Sequence, residues 1–232
     1  MGHAHHLNLL ENAMQTIVKL SLPLFALGLI HTLPAHAELE SRLGGQAVYD
    51  TVHHVTWLTN ANLMASNNFG LTYGQDYGND GHGNLSLINS DGTSTWGGAQ
   101  KWVAAMNAAH YLGYSDWQLP TTLQPDPTCR MQSGGISFGV GCTGSPMGQL
   151  FKELGEVAGQ SITTTHNARY GLFTYLRPTV YWSSTEATSN PNDAWTFNAS
   201  IGLQGANYKS YRYYSLVMRS GDVAPNTGTA DR

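Results

Sequence analysis

The chain has 232 residues and a net charge of −4, with 41% hydrophobic but only 11% charged residues. Soluble domains usually carry about 25% charged residues, so this chain is unusually poor in charge. Because it is also rich in aromatic residues, the composition excludes a disordered chain. Its negative charge gives no general attraction to nucleic acid or to an anionic membrane, so we expect neither as a partner.

The N-terminal segment has the features of an export signal. Lys19 precedes an apolar run from Leu20 to Leu33, and Ala35-His-Ala37 has the small residues of a cleavage site. The apolar run is shorter than the roughly 20 residues that a membrane span needs. We therefore predict a signal peptide over residues 1–37, with Met14 as an alternative start. The mature chain would be periplasmic or secreted, without an integral membrane span.

A polar lead-in is expected over residues 38–46, followed by one domain over residues 47–223. Two short stretches rich in β-branched and aromatic residues predict strands at Ala47–Tyr49 and His54–Leu58. From Asn60 to Gly92 the sequence is dense in Asn, Gly and Asp and has no helical period. This predicts a long loop, with room for a short helix near residues 61–66.

Oxygen-bearing side chains are concentrated in one part of that loop, Asp76-Tyr-Gly-Asn-Asp-Gly-His-Gly-Asn84. Carboxylate and amide oxygens are the ligands that calcium prefers. The spacing is not that of an EF-hand, because Gly78 stands at a ligand position and no Glu closes the loop. Calcium is therefore a candidate cofactor, with Asp76, Asn79, Asp80 and Asn84 as its candidate ligands.

Two helices are predicted next. Ser94 or Thr95 can cap the first, and apolar residues at helical spacing continue to Gly113, which should end it. Ser145 is the expected cap of the second, with a proline in the first turn and Gly159 as the stop.

Cys129 and Cys142 are the only cysteines. In an exported protein an isolated pair predicts a disulfide, and closing this loop would stabilise the fold by about 3 kcal/mol. The alternative is a metal or redox pair, but the spacing is not C-x-x-C and no histidine lies nearby.

Ser137, in the loop between the two cysteines, fits a G-x-S-x-G nucleophile pattern. That pattern needs a strand before the serine and a helix after it, and no helix is expected here.

The last third of the domain predicts strands at residues 179–184, 194–200 and 213–219, with a turn at residues 202–210 and a frayed tail at residues 224–232. Because the predicted helices come first and most of the predicted strands come later, we expect an α+β domain with a mainly antiparallel sheet and long irregular loops.

The run Tyr208-Lys-Ser-Tyr-Arg-Tyr-Tyr214 combines aromatic side chains with two cations. Tyr and Arg are favoured at binding surfaces, and cations suit an anionic or sulfated polysaccharide. The candidate ligand-binding residues are Tyr208, Lys209, Tyr211, Arg212 and Tyr213. The alternative is an ordinary hairpin with tyrosines lying on the sheet.

Three short runs follow one another along the chain: Gly113-Tyr-Ser-Asp-Trp-Gln-Leu-Pro-Thr121, Tyr181-Trp-Ser-Ser-Thr-Glu186 and Met218-Arg-Ser-Gly-Asp-Val223. In their order and spacing they resemble the DUF1566 family, the domain at the C-terminus of the Legionella collagen-like adhesin. The resemblance covers roughly residues 47–223. It implies a fold related to C-type lectins and recognition of polysaccharide or another glycan at the cell surface.

Four residues of the resemblance are expected to be mainly structural. Asp116 can accept hydrogen bonds from nearby backbone, as in Asx turns. Trp117, Trp182 and Trp195 are expected to be buried rather than exposed for stacking on sugars.

Three functions are therefore open. The first is an exported, non-catalytic module that binds polysaccharide or glycan at the bacterial surface. The second is a structural or protein-binding envelope protein with no affinity for saccharides. The third is an enzyme of the formylglycine-generating type, whose related fold uses a reactive cysteine pair. A disulfide without an activating base argues against the third, so we expect no enzyme and no catalytic residues.

Overall fold

The computed structural model describes residues 39–223. The predicted signal peptide (1–37) and the predicted tail (224–232) lie outside the described residues.

Strands dominate the part of the chain that the structure describes. In chain order they are β1 (Leu39–Arg42), β2 (Ala47–Asp50), β3 (Val55–Leu58), β4 (Met131–Ser133), β5 (Ile136–Val140), β6 (Val180–Glu186), β7 (Asp193–Asn198), β8 (Leu203–Tyr208) and β9 (Met218–Ser220). The α-helices of this part are α1 (Trp96–Ala108), α2 (Pro146–Glu153) and the short α3 (Ile162–Thr165).

The strands form two antiparallel sheets, ordered β1-β2-β3-β9 and β4-β5-β8-β7-β6. This confirms the predicted α+β class with mainly antiparallel sheet. The first sheet also starts earlier than expected, because β1 lies in the segment predicted as a lead-in and pairs with β2 along its whole length.

A separate core cluster packs against each of the two longer helices, α1 and α2. One contains Leu150 and Phe151 of α2 together with Tyr181, and the other contains Trp102 of α1 together with Trp182. Since Tyr181 and Trp182 are neighbours on β6, their side chains point to opposite faces of the five-stranded sheet. The two helices therefore cover different faces of the same sheet.

Helix α1 begins where the sequence predicts but ends earlier. The Thr95 hydroxyl accepts a hydrogen bond from the amide of Gly98, 3.3 Å away, which caps the first turn. The helix ends at Ala108, because His110 and Leu112 have left-handed backbone conformations with φ of 48° and 55°. Gly98 weakens the helix by propensity, but it is required there: a Cβ would lie 2.0 Å from the carbonyl oxygen of Leu87.

Helix α2 is also shorter than predicted. It ends at Glu153 rather than at Gly159, and Val157, which the longer helix would have included, is 47% exposed. Pro146 occupies the first turn as expected. Ser145, however, does not cap the helix with its side chain, because its hydroxyl donates to Gln204 and accepts from the amide of Leu123.

Strand β8 replaces the turn that was predicted over residues 202–210. Its sequence, Leu-Gln-Gly-Ala-Asn-Tyr, has no β-branched residue, which explains why it does not look like a strand. It pairs with β7 from Leu203 to Tyr208 and is therefore fixed by its neighbour rather than by its own propensity. Turns remain at residues 201–202, before the strand, and at residues 209–210, after it.

Candidate functional site

The three runs on which the family resemblance rests meet in space, and we call residues 113–121, 181–186 and 218–223 together the motif junction. Gln118 and Met218 exchange backbone hydrogen bonds of 2.8 and 2.9 Å. The amide of Ser184 donates to the carbonyl of Pro120 at 2.9 Å. The runs thus join the four-stranded sheet to the edge of the five-stranded sheet.

Asp116 has a different partner from the one predicted. Instead of nearby backbone in an Asx turn, its two carboxylate oxygens accept from Nε and Nη2 of Arg219, at 2.8 and 2.9 Å. The same guanidinium donates to the carbonyl of Asp222 and lies over the ring of Tyr114. The hydrogen bonds from Arg219 hold the pKa of Asp116 below its usual value. Two parallel hydrogen bonds fix the guanidinium of Arg219 against the carboxylate of Asp116. They therefore also fix the orientation of the runs 113–121 and 218–223 relative to each other.

The tryptophans of the junction lie in the interior. Trp117 is 1% exposed and Trp182 is 0% exposed. Their indole N–H groups donate to the carbonyls of Tyr111 and Ser94, respectively. Trp195, on the neighbouring strand β7, is 4% exposed but lines a cleft. With their polar atoms satisfied inside the protein, Trp117 and Trp182 offer no surface to a ligand.

Residues Tyr208–Tyr214, which we call the tyrosine turn, present a different kind of surface. Tyr208 is 53% exposed and Tyr211 is 46% exposed, and their rings meet edge to face with centroids 5.5 Å apart. Tyr211 in turn meets Tyr213 edge to face at 6.0 Å. Tyr213 is half-buried, with its ring against Trp182 and its backbone paired with Ser94. The exposed rings are therefore supported by a ring that belongs to the core.

Lys209 is not a surface residue, contrary to the prediction that it binds ligand. It is 0% exposed, and its ammonium lies 3.5 Å from Asp80 and 3.3 Å from Glu186. It also lies 4.5 Å from the centre of the Trp96 ring. Neither carboxylate contact is aligned as a hydrogen bond, so the attraction is electrostatic.

The backbone of Lys209 fixes the same turn. Its N–H donates to Asn192 at 2.8 Å, and its carbonyl accepts from the amide of Trp96, at the start of α1, at 3.0 Å. One buried residue therefore connects β8 to the β6–β7 turn, to α1 and, through Asp80, to the long loop. Lys209 supports the turn and cannot reach a ligand.

Arg212 is the cation that the tyrosine turn exposes. Burial raises the pKa of nearby Asp91, but hydrogen bonds from Thr93 and the charge of Arg212 outweigh this and bring it below the usual value. In the sequence, Arg212 stands between Tyr211 and Tyr213. The structure thus leaves one accessible cation here where the sequence predicted two.

Three of the four candidate calcium ligands, Asp76, Asn79 and Asp80, already accept hydrogen bonds within the protein through their side chains, and the side chain of Asn84 donates to Asp80. Asp76 accepts from Gly78 and Ser86. Asp80 accepts from His82 and from the backbone and side chain of Asn84, in addition to its contact with Lys209. Burial raises the pKa of Asp80, and these hydrogen bonds with the Lys209 charge more than offset the rise. Asn79 accepts from Gly81. Calcium binding by this loop stays a prediction.

A family model for the Lcl C-terminal domain matches residues 46–219, which is well over half of the chain. The chain belongs to the Lcl C-terminal domain family. The match agrees with the resemblance noted in the sequence, and this family indicates an adhesin-like binding module. No curated protein and no solved structure matches the chain. The C-type-lectin-like form of the fold stays a prediction.

Two features bear on whether this Lcl C-terminal domain has catalytic chemistry. The predicted disulfide joins Cys129 to Cys142 and encloses the β4–β5 hairpin. Asp126 lies close to both sulfurs, and its carboxylate accepts from Thr128 and Gly144. Ser137 is 0% exposed within β5, where its hydroxyl donates to Gln132 and accepts from the amide of Asp126. Its hydroxyl is therefore not presented at a strand-to-helix elbow.

Sequence reasoning missed two acidic side chains. Glu186, in the second motif, is 47% exposed although it contacts buried Lys209. Glu156, just after α2, has a buried carboxylate oxygen without a hydrogen-bond partner. Burial raises the pKa of Glu156 to about 8. No local sequence signal marks either residue, because their environments are made by segments distant along the chain.

Among residues 39–223 no helix is long and apolar enough to cross a membrane.

Proposed function

We propose that the chain is an exported, non-catalytic binding module that recognises a polysaccharide or another glycan at the bacterial cell surface. The contact surface is the exposed part of the tyrosine turn, formed by Tyr208, Tyr211 and Arg212. The observation that carries the proposal is the pair of half-exposed, edge-to-face rings on a buried support.

Rigid support is what makes this surface suitable for binding. A tyrosine side chain has few rotatable bonds, so fixing it against a ligand costs little conformational entropy. The buried Lys209 and the half-buried Tyr213 hold the turn before any ligand arrives. A preorganised surface avoids part of the ordering cost of binding.

Arg212 supplies selectivity for an acidic group. A guanidinium binds sulfate or carboxylate oxygens through two parallel hydrogen bonds. With one accessible cation rather than two, the turn favours a glycan that stacks on the tyrosines and carries isolated acidic groups. A densely charged polyanion, which would bind by charge alone, fits less well.

The test is a glycan array probed with the full chain, in calcium and then in chelator, followed by titration of the strongest glycan. The double variant Tyr208→Ala/Tyr211→Ala should lose at least about tenfold in affinity, since exposed aromatic anchors dominate such contacts. Tyr175→Ala is the matched control, because Tyr175 is 66% exposed and lies outside the turn. Loss with chelator would implicate the Asp76–Asn84 loop.

Absence of glycan binding in both conditions, or full binding by the double variant, would reject the proposal and favour a protein-binding envelope module.

Export is tested separately. Fractionation of the producing cells should find a chain that begins at Glu38 in the periplasm or the medium, and an uncleaved cytoplasmic chain would reject it.

A further inference from the structure

A cleft opens where the β4–β5 hairpin separates from β8. Strand β5 pairs with β8 only at Gly139–Gln204 and Val140–Leu203, although both strands continue past these pairs. The space left between them has a volume of about 480 Å³. Its walls are mainly apolar and include Met131, Ile136, Phe138, Trp195, Leu203 and Ala206.

A smaller cavity of about 70 Å³, most of whose lining residues are polar, adjoins this cleft. The two share Ile136, Ser189 and Trp195 as lining residues. The smaller one adds Gln124, Thr185, Thr188 and Glu186. Of the described residues that line either space, Glu186 is the one with a charge. The combined space is apolar along most of its length and acidic at one end.

The acidic end has an excess of negative charge. Lys209 lies between two carboxylates, those of Asp80 and Glu186, so the three groups together carry a charge of −1. The side chains of Asp80 and Lys209 are 2% and 0% exposed, and that of Glu186 is 47% exposed. The uncompensated charge therefore reaches solvent and ligand through Glu186.

We propose that this cleft binds a cationic amine with an apolar body, with the body against Trp195 and the ammonium at Glu186. The volume lies within the usual range of about 300–1,000 Å³ for small-molecule sites. Apolar walls with one oriented charge are typical of such sites. The indole of Trp195, which lines both spaces, adds attraction for a nearby cation. This ligand class is independent of the glycan proposed for the tyrosine turn.

The probes are 4-phenylbutylamine, 4-phenylbutanol and 4-phenylbutyrate, titrated by calorimetry into the full chain. They share one apolar body and differ in the charge of the head group. The amine should bind about tenfold more tightly than the alcohol, which is the effect of one hydrogen bond to a charged group. The carboxylate should bind more weakly than either. Equal binding of the amine and the alcohol, or a preference for the carboxylate, would overturn the proposal.

Two variants separate the two ends of the cleft. Glu186→Gln should abolish the preference for the amine and leave binding of the alcohol unchanged. Glu153→Gln, on α2 and outside the cleft, is the matched control and should keep the preference. Ala206→Phe should remove binding of all three probes, because Ala206 is exposed on β8 and a larger side chain there enters the apolar cleft.

Thermal unfolding of each variant separates loss of binding from loss of folding. If Glu186→Gln unfolds, Ala206→Phe still decides whether the probes occupy this cleft. A dimer of the unliganded chain that Ala206→Phe dissociates would show that a second copy fills the cleft, and the proposal would be wrong. A tyrosine-turn variant that loses glycan binding should keep the amine preference, so the failure of one proposal is distinguishable from the failure of the other.

Discussion

The motif junction and the tyrosine turn differ in what their aromatic residues do. In the junction, Trp117 and Trp182 are at most 1% exposed and their N–H groups donate to buried carbonyls. In the turn, Tyr208 and Tyr211 are about half exposed and contact each other. The residues that identify the family hold its two sheets together. The exposed tyrosines lie outside those motifs, so the motifs that show family membership do not mark this exposed aromatic surface.

The same contrast exists within the turn, between its two cations. Lys209 is enclosed by Asp80, Glu186 and the ring of Trp96, whereas Arg212 is exposed. They are three residues apart and both positively charged, yet one belongs to the interior and the other to the surface.

The largest effect should come from Lys209→Met. Removing the cation leaves the carboxylate of Asp80 buried without its counter-charge, and breaking a buried ion pair costs about 3 kcal/mol of unfolding free energy. Arg212→Met, the matched control, should change stability by less than about 0.5 kcal/mol. Urea unfolding of both variants measures the difference. Equal losses would mean that the interior and surface roles have been assigned wrongly.

Asn107→Ala should have the next largest effect and tests the motif junction. The side-chain amide of Asn107 donates to the backbone carbonyl of Trp117 at 2.8 Å and accepts from the backbone N–H of Trp117 at 2.9 Å. Alanine favours a helix, so propensity alone predicts stabilisation. Because two backbone groups lose their partner, we expect a loss of about 2 kcal/mol. Lys101→Ala, exposed on the same helix, is the control. If Asn107→Ala were as stable as Lys101→Ala, the junction would not depend on this contact.

Glu156→Gln should have a smaller effect that depends on pH. Burial raises the pKa of Glu156 to about 8, so the folded state holds a proton that the unfolded state releases at lower pH. The contribution of Glu156 to stability is therefore full below its ordinary value of 4.5 and is lost as pH rises towards 8. Glutamine stays neutral and should be more stable by about 1 kcal/mol at pH 9, less than the full shift gives because the group is not entirely buried.

Unfolding curves of both proteins at pH 5, 7 and 9 test this, with Glu153→Gln as the control. Glu153 has an ion-pair partner in Arg169, so that variant should keep the pH dependence of the parent. A difference between Glu156→Gln and the parent that stays constant from pH 5 to 9 would contradict a buried, protonated carboxyl group.

The sequence was sufficient for features with a local cause. The α+β class, the Thr95 cap and the pairing of the two cysteines follow from neighbouring residue types and composition. The Asn- and Gly-rich stretch is largely irregular, as expected, with one 3₁₀ turn at Leu63–Ala65.

Features with a distant cause could not be predicted in this way. Strand β8 has poor strand propensity and forms because β7 supplies its hydrogen-bond partners. The burial of Lys209 depends on Asp80, more than a hundred residues earlier, so its charge alone suggested a surface position. Asp116 likewise finds Arg219 across 103 residues, although nearby backbone was the expected partner. Candidate binding residues chosen by residue type therefore could not separate the buried Lys209 from the exposed Arg212.

The most direct test of the central claim is the affinity of the full chain for its strongest array glycan, compared with that of Tyr208→Ala/Tyr211→Ala. Removing two exposed rings should leave the unfolding free energy within about 0.5 kcal/mol of the parent. We predict a loss of glycan affinity of at least about tenfold at unchanged stability. Unchanged affinity in a folded double variant would contradict the assignment of the tyrosine turn as the ligand surface.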